Sequence, residues 1–385
     1  MKYLLSKALK DNQIAPFLKM DFINKKIFVF YFLLALIVLN SCSIVPKPVV
    51  LPAPNLKKSV YTTTPSATAT ATKQPTKTST PIPTINPLRT IAPTLSPTAT
   101  TDPFKNLYLE SLQSRSYGGG VLEEAGVLYI NETFTRKLIK YRSEGLDLFG
   151  FINIPNGEGP FPVIFMFHGF IEPGSYRTVG YSARYADAMA EAGFIVLHPN
   201  LRGYAPSEDG ENFLGVGDTV DALNLIHLVR QQSGSPGILE KADSNQIGLW
   251  GHSMGGGIVE RILVIDPDID AALLYAPIHA NEEFNLAHFD KDGRGEEKIS
   301  APSAVLRKIS PLYFLDSVRT PISIHHGIDD SVVPIEWSQF LCRYLKEMEI
   351  EVTCIDYPGM PHTFRNEGDA NFIENMIQFF SKYLK

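Results

Sequence analysis

Apolar residues run through 163–167, 194–197, 247–250, 271–275, 322–324 and 352–355, interrupted only by Gly248, Ser323 and Thr353. Such a run predicts a strand buried on both faces, as in a parallel sheet covered on its two sides. Between the runs, apolar residues recur at spacings of three and four over 181–192, 216–231, 258–265, 335–348 and 372–384, which predicts helices. Upstream, 134–141 and 146–154 alternate apolar with polar and meet at Ser143 to Gly145, a hairpin expected at the start of the sheet. Strand and helix therefore alternate along most of the chain. That order predicts an α/β fold, a mostly parallel central sheet with helices on both faces and a site at the carboxyl ends of the strands. Residues 279–310 break the alternation, and 290–297 are strongly polar. They read as an insertion over the site, with a disordered surface loop as the alternative.

The first hundred residues follow other rules. Lys25 and Lys26 precede an apolar run over 27–39 that ends in Leu39-Asn40-Ser41-Cys42. The run is shorter than the roughly 20 residues an ordinary membrane-spanning helix needs, and it suits the apolar region of a secretory signal. Residues 1–41 resemble a bacterial lipoprotein signal, in which Leu39 and Ser41 precede a cysteine, here Cys42, that becomes lipidated and amino-terminal; Asn40 is a less usual filler. A plain membrane anchor is the alternative, and both readings put the remaining chain outside the cytoplasm. Met20 makes a more ordinary start for such a signal than Met1 does. Across 61–101 Thr and Pro supply roughly half of the residues, with few apolar side chains and no period, so no packed core offsets the entropy of ordering them. Residues 42–103 therefore read as an extended tether, with an O-glycosylated stalk as the variant reading. The folded domain is expected over 104–385.

Composition narrows the partners. The chain has 385 residues, 44% of them hydrophobic and 20% charged, enough for a large core. A net charge of -6 gives no electrostatic footprint for nucleic acid. No phosphate loop, dinucleotide fingerprint or cluster of metal ligands stands in the sequence, so neither cofactor nor metal is implied.

The chemistry centres on Gly251-His252-Ser253-Met254-Gly255, which directly follows the run 247–250 and precedes a helical stretch. A serine on a sharp strand-to-helix turn projects its hydroxyl at the carboxyl edge of a sheet, and small flanking residues let the backbone turn that tightly. The pattern alone arises by chance in roughly one chain in eight of this length, so its context carries the weight. Downstream stand Asp330, after another apolar run, and then His362; the other eight of the nine histidines all precede Asp330.

Several separate stretches fall in the order of a known family. Gly145-Leu146 through Pro155, then Phe161-Pro162-Val163 and Phe167-His168-Gly169, resemble the approach to an oxyanion loop. Asn200-Leu201-Arg202-Gly203 resembles the turn after the next strand, 251–256 a nucleophile elbow, His326-Gly327-Ile328-Asp329-Asp330-Ser331-Val332-Val333-Pro334 an acid loop, and His362 with Phe364 a histidine loop. Residues 139–384 thus resemble the α/β-hydrolases of the prolyl-oligopeptidase and dienelactone-hydrolase-like group. The resemblance implies a serine hydrolase with Ser253 as nucleophile, His362 as general base and acid, and Asp330 orienting the imidazole. Asp329, adjacent to Asp330, is the competing acid, while Asp356 lies on the preceding strand and reads as structural or surface. It also implies an oxyanion hole from the backbone amides of Met254 and Phe170. The sequence departs from the family's double glycine there, leaving Gly169 as the flexible position.

Other residues carry weaker signals. His168 reads as ordering its loop, Tyr176 as a packing residue that could instead add a hydroxyl, and Arg202 as a loop brace rather than a substrate contact. Outside the cytoplasm Cys342 and Cys354 form an even pair, either a disulfide between helix and strand or two buried thiols. About thirty residues separate the tether from the first expected strand, too few for the propeller of prolyl-oligopeptidase-type peptidases, so a small ester is the preferred substrate over a short peptide. A non-catalytic surface binding domain on the same fold is the reading from another class. The partners expected are the substrate and, through the lipid, a bacterial membrane.

Overall fold

The computed structural model describes residues 102–289 and 301–385. The expected signal segment, Cys42 and almost all of the tether lie outside the described residues, as does 290–300. Nine strands form a single sheet: β1 Glu123–Ile130, β2 Phe134–Ser143, β3 Leu146–Pro155, β4 Phe161–Phe167, β5 Ile195–Pro199, β6 Ala242–His252, β7 Ala271–Tyr275, β8 Ile322–Gly327 and β9 Val352–Tyr357. Their spatial order is β1-β2-β3-β5-β4-β6-β7-β8-β9. From β5 to β9 every neighbouring pair is parallel, and β1, β2 and β3 add an antiparallel edge. The α/β class and the mostly parallel sheet are as the apolar runs predicted.

The helices are α1 Leu109–Gln113, α2 Ala183–Glu191, α3 Val216–Gln232, α4 Met254–Ile265, α5 Glu282–Phe289, α6 Ser303–Ile309, α7 Ile335–Glu347 and α8 Asn366–Tyr383. Successive residues of a buried strand feed opposite faces of the sheet. Leu249 joins the cluster that holds Leu223 of α3, Ile258 and Ile262 of α4 and Leu341 of α7. Its neighbour Trp250 joins the other cluster, with Tyr185 and Met189 of α2 and Phe372 and Phe380 of α8. Among the described residues no helix is long and apolar enough to cross a membrane.

Three differences from the sequence expectation have physical causes. The hairpin β2–β3 forms through Glu144 and Gly145, both at positive φ (49° and 88°), the turn type that matches strand twist. It does not start the sheet, because β1 pairs outside it. β1 is exposed on both faces, so its sequence carries no alternation to read. Helix α4 begins at Met254 rather than 258, since the elbow turns straight into it, and α8 begins at Asn366, six residues before its first buried aromatic, Phe372. Within 279–310 the described residues include two helices, α5 and α6, beside short irregular stretches at 279–281 and 310.

Candidate active site

The elbow places Ser253 at the carboxyl end of β6, beside the centre of the sheet. Its backbone sits at φ 54°, ψ -117°, a region L-residues rarely occupy. Neighbouring strands hold it there: the Ser253 amide donates to the Tyr275 carbonyl at 2.9 Å, and the Ser253 carbonyl accepts from Gly256 at 2.9 Å and from Ile278 at 3.2 Å. Two glycines are obligatory. A Cβ on Gly251 would lie 2.3 Å from the Gly255 carbonyl oxygen, and one on Gly255 would lie 2.0 Å from that of Phe167. The loop after β4 comes equally close, since a Cβ on Gly169 would stand 3.0 Å from Cβ of Ser253.

His362 and Asp330 come from the loops after β9 and β8. Nδ1 of His362 donates to Oδ2 of Asp330 at 2.7 Å. The carboxylate side chain is fully buried, and Oδ1 accepts the amides of Val332 at 2.7 Å and Val333 at 2.9 Å. Nε2 of His326 stands 3.1 Å from Oδ2, a second imidazole on the same oxygen. Burial pushes the Asp330 carboxyl up, but the hydrogen bonds from His326, His362 and the backbone outweigh it and hold the group well below the usual carboxylate range. Asp329 points to solvent, and Asp356 is an exposed residue of β9 bonded by Gln339 at 3.0 Å. Of the three carboxylates, only Asp330 meets the imidazole.

Ser253 and His362 line one cavity of about 400 Å³. No hydrogen bond joins Ser253 Oγ to the imidazole, a contact that commonly tightens only when substrate is bound. The cavity wall is apolar, formed by Phe170, Met254, Ile278, Phe289 and Val332, and no carboxylate, ammonium or guanidinium lines it among the described residues. Phe289 ends α5, which the adjacent His288 ties to the acid loop by donating from Nε2 to the Val332 carbonyl at 2.9 Å. His288 and Phe289 also pack on Trp337 of α7, with ring centroids 5.1 and 6.2 Å away.

Met254 follows Ser253 and Phe170 lines the same cavity, and neither backbone amide has an acceptor among the described residues. Two unpaired donors beside a nucleophile can take up the negative charge that develops on a carbonyl oxygen. His168 is buried and donates from Nδ1 to the Gly169 carbonyl at 2.8 Å, and burial lowers its pKa to about 4. Tyr176 turns away from the cavity and donates to Asn200 at 3.0 Å. Arg202 makes two bonds to Asp221, at 2.8 and 2.7 Å, and lines a separate hollow that shares no residue with the one at Ser253. Among the described residues no group of three or more His, Cys, Asp or Glu could hold a metal ion. The Sγ atoms of Cys342 on α7 and Cys354 on β9 are bonded, at 2.05 Å.

Sequence reasoning gave no role to His326, His252 or Tyr181. His326 lay inside a quoted motif, but the contact that matters, to a carboxylate four residues on, exists only once β8 turns into its loop.

Comparison with known proteins follows the same division of the chain. The model of the prolyl oligopeptidase family matches residues 181–385, which hold Ser253, Asp330 and His362. The chain is 25% identical over 284 residues to a Bacillus subtilis protein described as the uncharacterized peptidase YuxL, covering 68% of this chain and 41% of that one. It is 27% identical over 251 residues to the acylamino-acid-releasing enzyme of Arabidopsis thaliana, covering 58% of this chain and 30% of that one. The solved acylaminoacyl peptidase of Pyrococcus horikoshii overlays with a TM-score of 0.55 at 23% identity, over 66% of this chain and 42% of that one. The chain thus spans less than half the length of these proteins. With a family match over more than half of its residues and the sheet order and elbow described above, the chain belongs to the prolyl oligopeptidase family and has the α/β-hydrolase fold.

Proposed function

We propose that this protein is a serine hydrolase that cleaves an ester or amide bond through an acyl-enzyme on Ser253. The observation that carries the reading is the 2.7 Å bond from Nδ1 of His362 to the buried Asp330 carboxylate, beside a serine held at a strained elbow in the same cavity. A serine hydroxyl is a poor nucleophile at neutral pH. With Nδ1 donating to Asp330, Nε2 of His362 presents a lone pair. It takes the Oγ proton as Oγ attacks the carbonyl carbon, and the oxyanion rests on the amides of Met254 and Phe170. Collapse breaks the bond to the leaving group, which receives the proton from His362. Water then repeats both steps, releasing the acid and restoring Ser253.

The apolar cavity favours a small neutral ester. An unpaired charge for a substrate amino or carboxyl terminus is missing from its described lining. Cleavage of short peptides is the second reading, favoured by relatives described as a peptidase and an acylamino-acid-releasing enzyme. The test is labelling by a serine-directed fluorophosphonate, run beside a panel of short acyl esters and N-blocked peptide amides. Wild type should label and turn over esters faster than amides, and Ser253→Ala should do neither. An unlabelled wild type would sink the hydrolase reading, and faster amide turnover would reverse the substrate order.

We place the domain outside the cytoplasm, lipid-anchored through Cys42 to a bacterial membrane. Two things support this: the charged and apolar order of 25–42, and the bonded pair Cys342–Cys354, which suits an oxidising compartment. Mass analysis of the mature protein should find an acylated amino-terminal Cys42, and Cys42→Ser should release the protein from membranes.

A further inference from the structure

The residue before the nucleophile is a histidine that borders the same cavity and is buried, only 1% exposed. It packs on His362 and Tyr275, with ring centroids 4.5 and 4.3 Å away. Both of its nitrogens are engaged. Nε2 lies 3.0 Å from the backbone carbonyl oxygen of His362, and Nδ1 lies 2.5 Å from the hydroxyl of Tyr181. A carbonyl oxygen only accepts, so Nε2 carries the proton. Burial, reinforced by the nearby His362, keeps the ring neutral, so Nδ1 is a bare acceptor and the phenol must donate to it. The phenol keeps its proton, because burial pushes its pKa up to about 12. Its oxygen in turn stands 3.3 Å from Oγ1 of Thr363. The amide of the next residue, Phe364, donates to the Tyr275 hydroxyl at 2.6 Å.

Three successive residues of the histidine loop are therefore tied down, and two of the ties run through the Tyr181–His252 pair. We propose that His252 and Tyr181 are positioning residues: Tyr181 fixes the tautomer of His252, and His252 clamps the His362 backbone to the nucleophile elbow. The clamp sets where the general base stands relative to Ser253 Oγ. Asp330 fixes the rotation of the His362 ring; it does not fix the distance of the loop from β6. If Tyr181 loses its hydroxyl, Nδ1 is left without a donor and the His362 carbonyl alone holds the proton on Nε2. In the other tautomer a lone pair would face the His362 carbonyl and push the loop away. The inference rests on the serine hydrolase reading above.

The test uses the full chain and the same fluorophosphonate, whose rate of reaction with Ser253 reports base-assisted nucleophilicity without knowledge of the substrate. A displacement near 1 Å in a catalytic geometry costs on the order of a hundredfold. His252→Leu should therefore slow labelling by roughly ten- to a hundredfold, and Tyr181→Phe by several-fold, about three or more, in chains whose melting temperatures stay close to wild type. His252→Gln, whose amide retains one donor and one acceptor, should recover much of the loss. With a turned-over ester the loss should fall on kcat and leave KM nearly unchanged. The proposal is overturned if Tyr181→Phe and His252→Gln label at wild-type rate and a folded His252→Leu does so too. It is also overturned if slowing in all three variants follows lost melting temperature with no advantage for Gln over Leu. Should His252→Leu fail to fold, Tyr181→Phe decides alone, because it removes one oxygen and keeps the ring. Labelling of wild type at Ser253 checks the underlying reading separately.

Discussion

Asp330 receives two backbone amides on one oxygen and two imidazoles on the other, so its buried charge is compensated on every side. Replacing it by asparagine puts an amide where two N–H groups already point. Asp330→Asn should cut kcat by about three to four orders of magnitude, as expected when the base loses its tautomer. The check is steady-state turnover read beside a thermal melt, and a loss under tenfold would mean another group orients His362. His326 is the residue that sequence reading had no means of weighing. Its Nδ1 sits 2.6 Å from the Ser338 hydroxyl, which leaves Nε2 to face both the Val333 carbonyl and Asp330, each at 3.1 Å. Short motifs in sequence singled out Asp330 and His362, which the structure joins, because the proposed chemistry restricts residue type. The contacts that tune them were hidden because they depend on how two loops approach.

At the level of elements, the elbow succeeds only where backbone meets backbone. Gly255→Ala places a Cβ within 2.0 Å of the Phe167 carbonyl oxygen, so β4 and α4 must separate. The expected result is a loss of more than about 3 kcal/mol or no soluble protein, measured by urea unfolding. The bonded pair Cys342–Cys354 ties α7 to β9 across 12 residues, and opening it with Cys342→Ser and Cys354→Ser together should cost about 3 kcal/mol by loop entropy. Because α7 also carries Ser338, the same double variant should lower turnover more than its melt alone suggests. The inner parallel strands were easy to read in sequence, since burial on both faces makes them largely apolar, whereas β9 at the edge is only half-buried. β1 was not, with Val127 and Ile130 exposed at 54% and 66% in an edge strand that has no inner face. Helix α5 was missed for a related reason: only Glu282 and Asn285 are buried along it, so no apolar stripe announces it.

The whole molecule carries several histidines that burial keeps neutral. The pKa falls to about 4 in His168 and to about 3 in His198 and His325, against an ordinary value of 6.5. Unfolding frees them to take up protons, so the stability they permit is full above about pH 6.5 and is lost as pH falls towards those lowered values. Each unit of depression corresponds to about 1.4 kcal/mol. These rings lower the melting temperature from pH 6.5 to 4, while the carboxyls of Asp218 and Glu260, pushed up by burial, act in the opposite sense. His325→Asn should therefore flatten the fall seen in the parent, and an unchanged profile would contradict the burial of that ring.

The backbone of Ser253 gives a last consequence. At φ 54° and ψ -117° the nucleophile occupies a conformation that glycine adopts freely and serine does not. Ser253→Gly should therefore melt higher than Ser253→Ala, by about 1 kcal/mol or more, and higher than the parent as well. The residue proposed as nucleophile would then also be the one whose loss makes the protein hardiest. Selection for thermal endurance alone would drift towards an inert molecule, and only a demand for turnover keeps the hydroxyl in place.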